Sequence, residues 1–216
     1  MSRQHTTHGL QTLNEEIANS ISHGVGLLLA LAGAALLLVA TARTGSTWTI
    51  VGDSVFATTM VLLYLASTLY HSLKPNRIKE VFRILDHGAV FLLIAGTYTP
   101  FTLGVLRGPW GWTMLGLVWT LAIAGIGMKA FFGARYLWFS VALYVTMGWL
   151  VVIAAKPVIT HVPLAGLLWI LAGGIAYTGG LGFFAAHRLR YSHFIWHLFV
   201  VVGTTCHFCA VFWYSA

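Results

Sequence analysis

The segment YSHFIWHLFV, residues 191–200, sets His193 and His197 four positions apart in a run that is otherwise almost wholly apolar. On a helix that spacing puts both rings on one face, where they can grip a single ion. Neutral imidazole suits Zn²⁺, whereas Ca²⁺ and Mg²⁺ ask for oxygen ligands. His71, in YLASTLYHS, completes a three-histidine set of the kind that leaves a fourth position open for water. Asp86, in FRILDHGAV, is then placed to hydrogen-bond that water and accept its proton. The charge of the ion offsets the cost of a carboxylate near lipid. Ser67 lies one turn deeper than His71.

Each of these residues also has a plainer use. A His pair at this spacing serves as hydrogen-bonding glue between membrane helices. Asp86 fits the first turn of a helix, where the macrodipole favours it, and Ser67 fits backbone bonding or packing. Only the elements that position them decide whether the residues can act together.

Those elements are membrane spans. Hydrophobic residues make up 58 % of the 216, charged residues only 8 %, and the mean hydropathy is +0.83. A soluble domain carries about 25 % charged residues, so the charge deficit excludes an ordinary soluble surface. The net charge of +7 does not signal nucleic acid, because the basic residues sit in short connections and form no stripe with interleaved aromatics. Two cysteines exclude a disulfide framework, and the polar N-terminus lacks a small-residue cleavage pattern. A helix needs about 20 apolar residues to cross the hydrocarbon core. That ruler predicts an all-α, seven-transmembrane bundle forming a single domain over 1–216, with spans at roughly 22–42, 48–71, 84–106, 112–132, 137–155, 163–184 and 193–214. Residues 1–20 form a cytoplasmic N-terminal segment in this reading.

Lys and Arg set the orientation. One side holds Arg3, Lys74, Arg77, Lys79, Arg83, Lys129, Arg135, Arg188 and Arg190; the other holds Arg43, Arg107 and Lys156. Nine against three puts the N-terminus in the cytoplasm and makes the chain a multi-pass protein of the cell membrane. The second span then ends, and the third and seventh begin, at the inner face. Ser67, His71, Asp86, His193 and His197 share one slab of the inner leaflet. That common depth favours one metal site over separate explanations for each residue.

Taken together, EEIANSISHGVG, STLYHS, LDHGAVFLLIAGTYTPF and SHFIWHLFVVVGTTCHF resemble the hemolysin III family, the bacterial branch of the progestin and adipoQ receptor superfamily. The match spans residues 15–214. The resemblance implies a seven-helix bundle with a zinc ion near the cytoplasmic face, ligated by His71, His193 and His197. It implies that Asp86 holds the zinc's water, and that Ser67 stands behind it to polarise a substrate carbonyl. Glu16 and Asn19 match the polar start of the first span, without an assigned role.

Other residues are left out of the site. His87 is about 100° around the helix from Asp86 and should face elsewhere; His23 reads as an interfacial or packing residue. The CHFC stretch from Cys206 to Cys209 lies about 20 Å along the seventh span from His193 and reads as packing. His5, His8, His161 and His187 fall in polar ends or loops. Pro100 should kink the third span, glycine-rich segments should let helices approach closely, and Trp48, Trp110, Trp112, Trp138 and Trp213 should anchor at interfaces.

Three functions fit this pattern. The first is a zinc-dependent hydrolase of a lipid amide or ester, with a membrane lipid as its partner. The second is a non-enzymatic receptor or regulator of membrane state with structural zinc. The third is a pore, disfavoured because the outer halves of the spans offer few polar residues.

Overall fold

The computed structural model describes residues 11–133, 135–186 and 188–216. Regular structure among them is wholly helical. Helix α1 runs Leu13–Thr44, α2 Thr47–Ser72, α3 Arg77–Leu103, α4 Pro109–Phe132 and α5 Leu137–Gly148. A 3-10 turn, Leu150–Val152, leads to α6 (Ala155–His161), followed by α7 (Leu164–Ala185) and α8 (Ser192–Tyr214). Six of these helices are long and apolar enough to cross a membrane, and seven spans result if the bent α5–α6 pair counts as one. The chain is a polytopic membrane protein.

Local chemistry fixes where helices begin. Thr12 and Glu15 form a capping box at α1, Ser46 caps α2, Asn76 caps α3, and Pro109 occupies the first turn of α4. These caps start α1 and α3 well before the apolar runs: α1 begins at Leu13 rather than about residue 22, and α3 at Arg77 rather than 84. Hydropathy sees only the lipid-crossing part, whereas a helix extends as far as its caps allow. Pro100 leaves α3 a single helix through Leu103.

The fifth span departs most from a straight rod. Its α-helix ends at Gly148, passes into the 3-10 turn, and bends by 56° between Val152 and Ala155. Pro157 lacks the N–H that would have bonded back into the preceding turn, so the helix cannot be continuous there. The Tyr98 hydroxyl of α3 repairs the break, donating to the Gly148 carbonyl at 2.9 Å and accepting from the Val151 N–H at 2.9 Å. Exposed backbone at membrane depth requires such a partner.

Neighbours in sequence pack as neighbours in space along α1–α2, α2–α3, α3–α4 and α7–α8, and α8 closes back onto α1. Lipid tails are as apolar as the side chains, so close packing and hydrogen bonds hold the helices together. Phe91 lies across Gly125 of α4, and Tyr64 lies across Gly26 of α1. The Tyr64 hydroxyl then reaches Thr204 of α8 at 2.9 Å. Leu28, Leu36, Ile123 and Phe131 point outward, as a lipid-facing surface requires. The five tryptophans read as interfacial anchors are all exposed.

Candidate metal centre

One end of the bundle gathers the starts of α1, α3 and α8 with the end of α2. His71, His193 and His197 meet there, each offering a ring nitrogen within 4.8 Å of the others. Their ring centroids are 5.2 Å apart for His71–His193, 5.0 Å for His71–His197 and 4.6 Å for His193–His197. His71 and His197 are buried.

Two rings have their tautomer set by their surroundings. His71 Nδ1 donates to Glu16 Oε2 at 2.7 Å, so its Nε2 carries the lone pair. That Nε2 is buried with no hydrogen-bond partner among the described residues. His197 Nδ1 lies 3.2 Å from the Asn19 carbonyl, which can only accept, and 3.1 Å from Ser22 Oγ. Its Nε2 is therefore also left as a donor of electrons. An orphaned buried imidazole lone pair beside two more imidazoles suits a cation.

Glu16 does more than hold one ring. Its second oxygen accepts from Lys79 Nζ at 2.8 Å, and Lys79 also donates to the Leu73 carbonyl at 3.0 Å. One carboxylate thus ties α1 to both α2 and α3 around the site. Glu15 does the same for α8, accepting from the Tyr191 N–H at 3.0 Å. Tyr191 turns the chain with a positive φ of 59° just before His193.

Asp86 and Ser67 are both buried at this end. The Asp86 carboxylate lies beside Ser67 and within electrostatic reach of His71, and Ser67 Oγ makes no well-aligned hydrogen bond. His87 departs from the sequence reading, whereas His23 packs, as one of its two readings had it, but packs at the site itself. His23 is buried and stacks flat on His197, with centroids 3.5 Å apart and planes 11° from parallel. Both of its nitrogens lack hydrogen-bond partners among the described residues. His87 lines the same cavity as Asp86 rather than facing away, and Tyr144 of α5 donates to its carbonyl at 2.7 Å.

Glu16, Asn19 and His23 are neighbours of the histidine cluster that sequence reasoning left out of the site. Their spacing of three and four places them on one face of α1. That polar stripe on a lipid-buried helix was the available signal. His161 is exposed, and Cys206 and Cys209 are free, partly buried thiols. His5, His8, His187 and Arg3 lie outside the described residues.

From the site a cavity of about 500 Å³ extends through the bundle. Ser67, Asp86, His23, His193 and His197 form its polar end. Beyond them its walls are largely apolar, from Val90, Leu93, Ile94 and Phe101 of α3, Val141 and Val145 of α5, and Leu171 and Leu181 of α7.

Comparison with known proteins agrees with this architecture. The family model described as haemolysin-III related matches residues 11–208. Hemolysin-3 of Bacillus cereus is 45 % identical over 208 residues, covering 96 % of this chain and 95 % of that protein. The hemolysin-3 homolog of Bacillus subtilis (strain 168) is 44 % identical over 203 residues, 94 % and 95 % of the two chains. The human monocyte to macrophage differentiation factor, a more distant relative within the progestin and adipoQ receptor superfamily, is 26 % identical over 210 residues, 94 % of this chain and 85 % of that one.

Proposed function

The chain belongs to the haemolysin-III related family, and from that premise we propose that it is a zinc-dependent hydrolase of a lipid amide or ester at the cytoplasmic leaflet. The observation that carries this reading is the convergence of His71, His193 and His197 at the polar end of a long apolar cavity. The nine-to-three bias of basic residues supports the cytoplasmic side.

The donor set fits zinc. Three imidazoles without a thiolate leave one tetrahedral position free, the pattern of a catalytic rather than a closed structural site. When bound, zinc supplies Lewis acidity and brings the pKa of a coordinated water toward about 7. The remaining work falls to the chain. Asp86 orients the attacking water, takes its proton on the carboxylate, and returns a proton to the leaving amine or alcohol. Ser67 Oγ–H donates toward the substrate carbonyl. Glu16 and the Asn19 carbonyl hold His71 and His197 in register.

The cavity supports a substrate with a long chain. Along α3 its lining runs from Asp86 to Thr102, about 24 Å at 1.5 Å per residue. Its volume lies within the range of about 300–1,000 Å³ for ligand sites. An acyl chain in the apolar stretch would bring the bond next to it to Asp86 and the histidines.

The test is fatty-acid release from a panel of N-acyl lipids and lipid esters by purified, zinc-loaded protein. Zinc-dependent release is expected, and Asp86→Asn should abolish it while metal content stays at the wild-type level. No release from any lipid of the panel, by protein shown to hold zinc, would overturn the proposal.

A further inference from the structure

The face of α4 that packs against α3 reads Gly111, Met114, Val118, Ala122, Gly125 and Lys129, all buried and spaced three or four apart. Five of the six are small or apolar, as a packed stripe demands. The sixth is a lysine with 1 % of its surface exposed. A lysine near a helix end normally snorkels, laying its stem on apolar surface and lifting its ammonium to water. Lys129 does not: its Nζ is buried and has no hydrogen-bond partner among the described residues.

A second cation faces the same place. Because α3 and α4 run antiparallel with Phe91 on Gly125, Lys129 falls opposite the first turns of α3. Arg83 lies within electrostatic reach of Lys129. Its guanidinium is paired through Nη2 to Glu80, but its Nε is buried and also unpartnered. Arg83 has Glu80 as its counter-charge, but Lys129 faces that second cation with an orphaned donor, which is costly to hold. A methyl group added at the buried Gly88, further along α3 from Arg83, would meet nothing within 4 Å. Asp86 lies within electrostatic reach of His71, whereas the charged group within reach of Lys129 is Arg83.

We infer that Lys129 and Arg83 form a binding site for a phosphate-bearing anion, separate from the histidine centre. Lys129 lies about 4.5 Å from the end of α4 and Arg83 about 9 Å from the start of α3. That is headgroup depth, where basic pockets between transmembrane helices take anionic lipid headgroups. Lys129 supplies a point charge, and Arg83 adds Nε–H to the same oxygens. Either a phospholipid headgroup or free phosphate meets this chemistry.

The experiment measures binding to the full-length protein in nanodiscs of phosphatidylcholine alone, of phosphatidylcholine with phosphatidylglycerol, and of phosphatidylcholine with inorganic phosphate added. Native mass spectrometry after release counts retained phosphatidylglycerol, and thermal unfolding reports stabilisation. Wild type should retain phosphatidylglycerol and unfold at a higher temperature with it than without. Lys129→Met should bind about tenfold more weakly, a loss of one charge-assisted contact, and Lys129→Arg should restore binding. Zinc content equal to wild type in Lys129→Met shows that the bundle is folded. Stabilisation by inorganic phosphate that is lost in Lys129→Met supports the site and assigns it to the free anion. Equal retention by wild type and Lys129→Met, or no effect of either anion on wild type, would overturn the inference.

Discussion

Glu16 on α1 grips His71 on α2 through a 2.7 Å contact to Nδ1, and its other oxygen holds Lys79 of α3 at 2.8 Å. One carboxylate therefore fixes a candidate metal ligand and staples three helices. Outer partners of ligating histidines typically change metal affinity 10–100-fold. Glu16→Gln should weaken zinc binding by roughly that factor, read by competition with a chelator. Unchanged affinity would mean that His71 is held without Glu16.

The ligands themselves should behave as a set. Single replacements His71→Ala, His193→Ala and His197→Ala should each leave far less than one zinc per chain by elemental analysis. Zinc needs neutral imidazoles, so its binding competes with protons. Occupancy should fall as pH falls and recover as it rises. Full zinc content in any one of the three variants would remove that residue from the centre.

Tyr98→Phe tests the broken span. The variant keeps the ring but deprives the Gly148 carbonyl and Val151 N–H of their partner. The expected cost is about 1–2 kcal/mol, seen as a lower Tm in detergent with zinc content unchanged. No shift would mean that another group satisfies the break.

The cavity should read chain length. Val145→Trp places a large ring among the lining residues of α5. Competition between short- and long-chain lipids should then shift toward the short ones, while zinc content stays constant. Equal loss for every chain length would argue that the chain does not lie along this wall.

Topology is open to direct measurement. Single cysteines placed at Lys74 and at Arg107 in a background lacking Cys206 and Cys209 should label from opposite sides of the membrane, the first from the cytoplasm. The reverse pattern would move the whole centre to the outer leaflet.

Much of this protein was legible in its residues. Runs of apolar side chains with almost no charge can only be lipid spans, because a backbone in hydrocarbon must satisfy its own hydrogen bonds. His193 and His197 are a pair on one helix, which a local periodicity fully specifies. The meeting of His71 with that pair needed only shared depth and the turns of the chain.

What lay beyond the sequence depends on rotation of each helix about its axis, which packing sets and hydropathy does not record. The stacking of His23 on His197, the turn of His87 into the cavity and the grip of Glu16 across three helices all follow from that rotation. Lys129 is the sharpest case. As a letter near a helix end it marked a membrane side; packed against α3, it became a buried amine with no hydrogen-bond partner among the described residues. The spans and the histidine pair are properties of single segments, whereas the centre and the second site exist only where segments face one another.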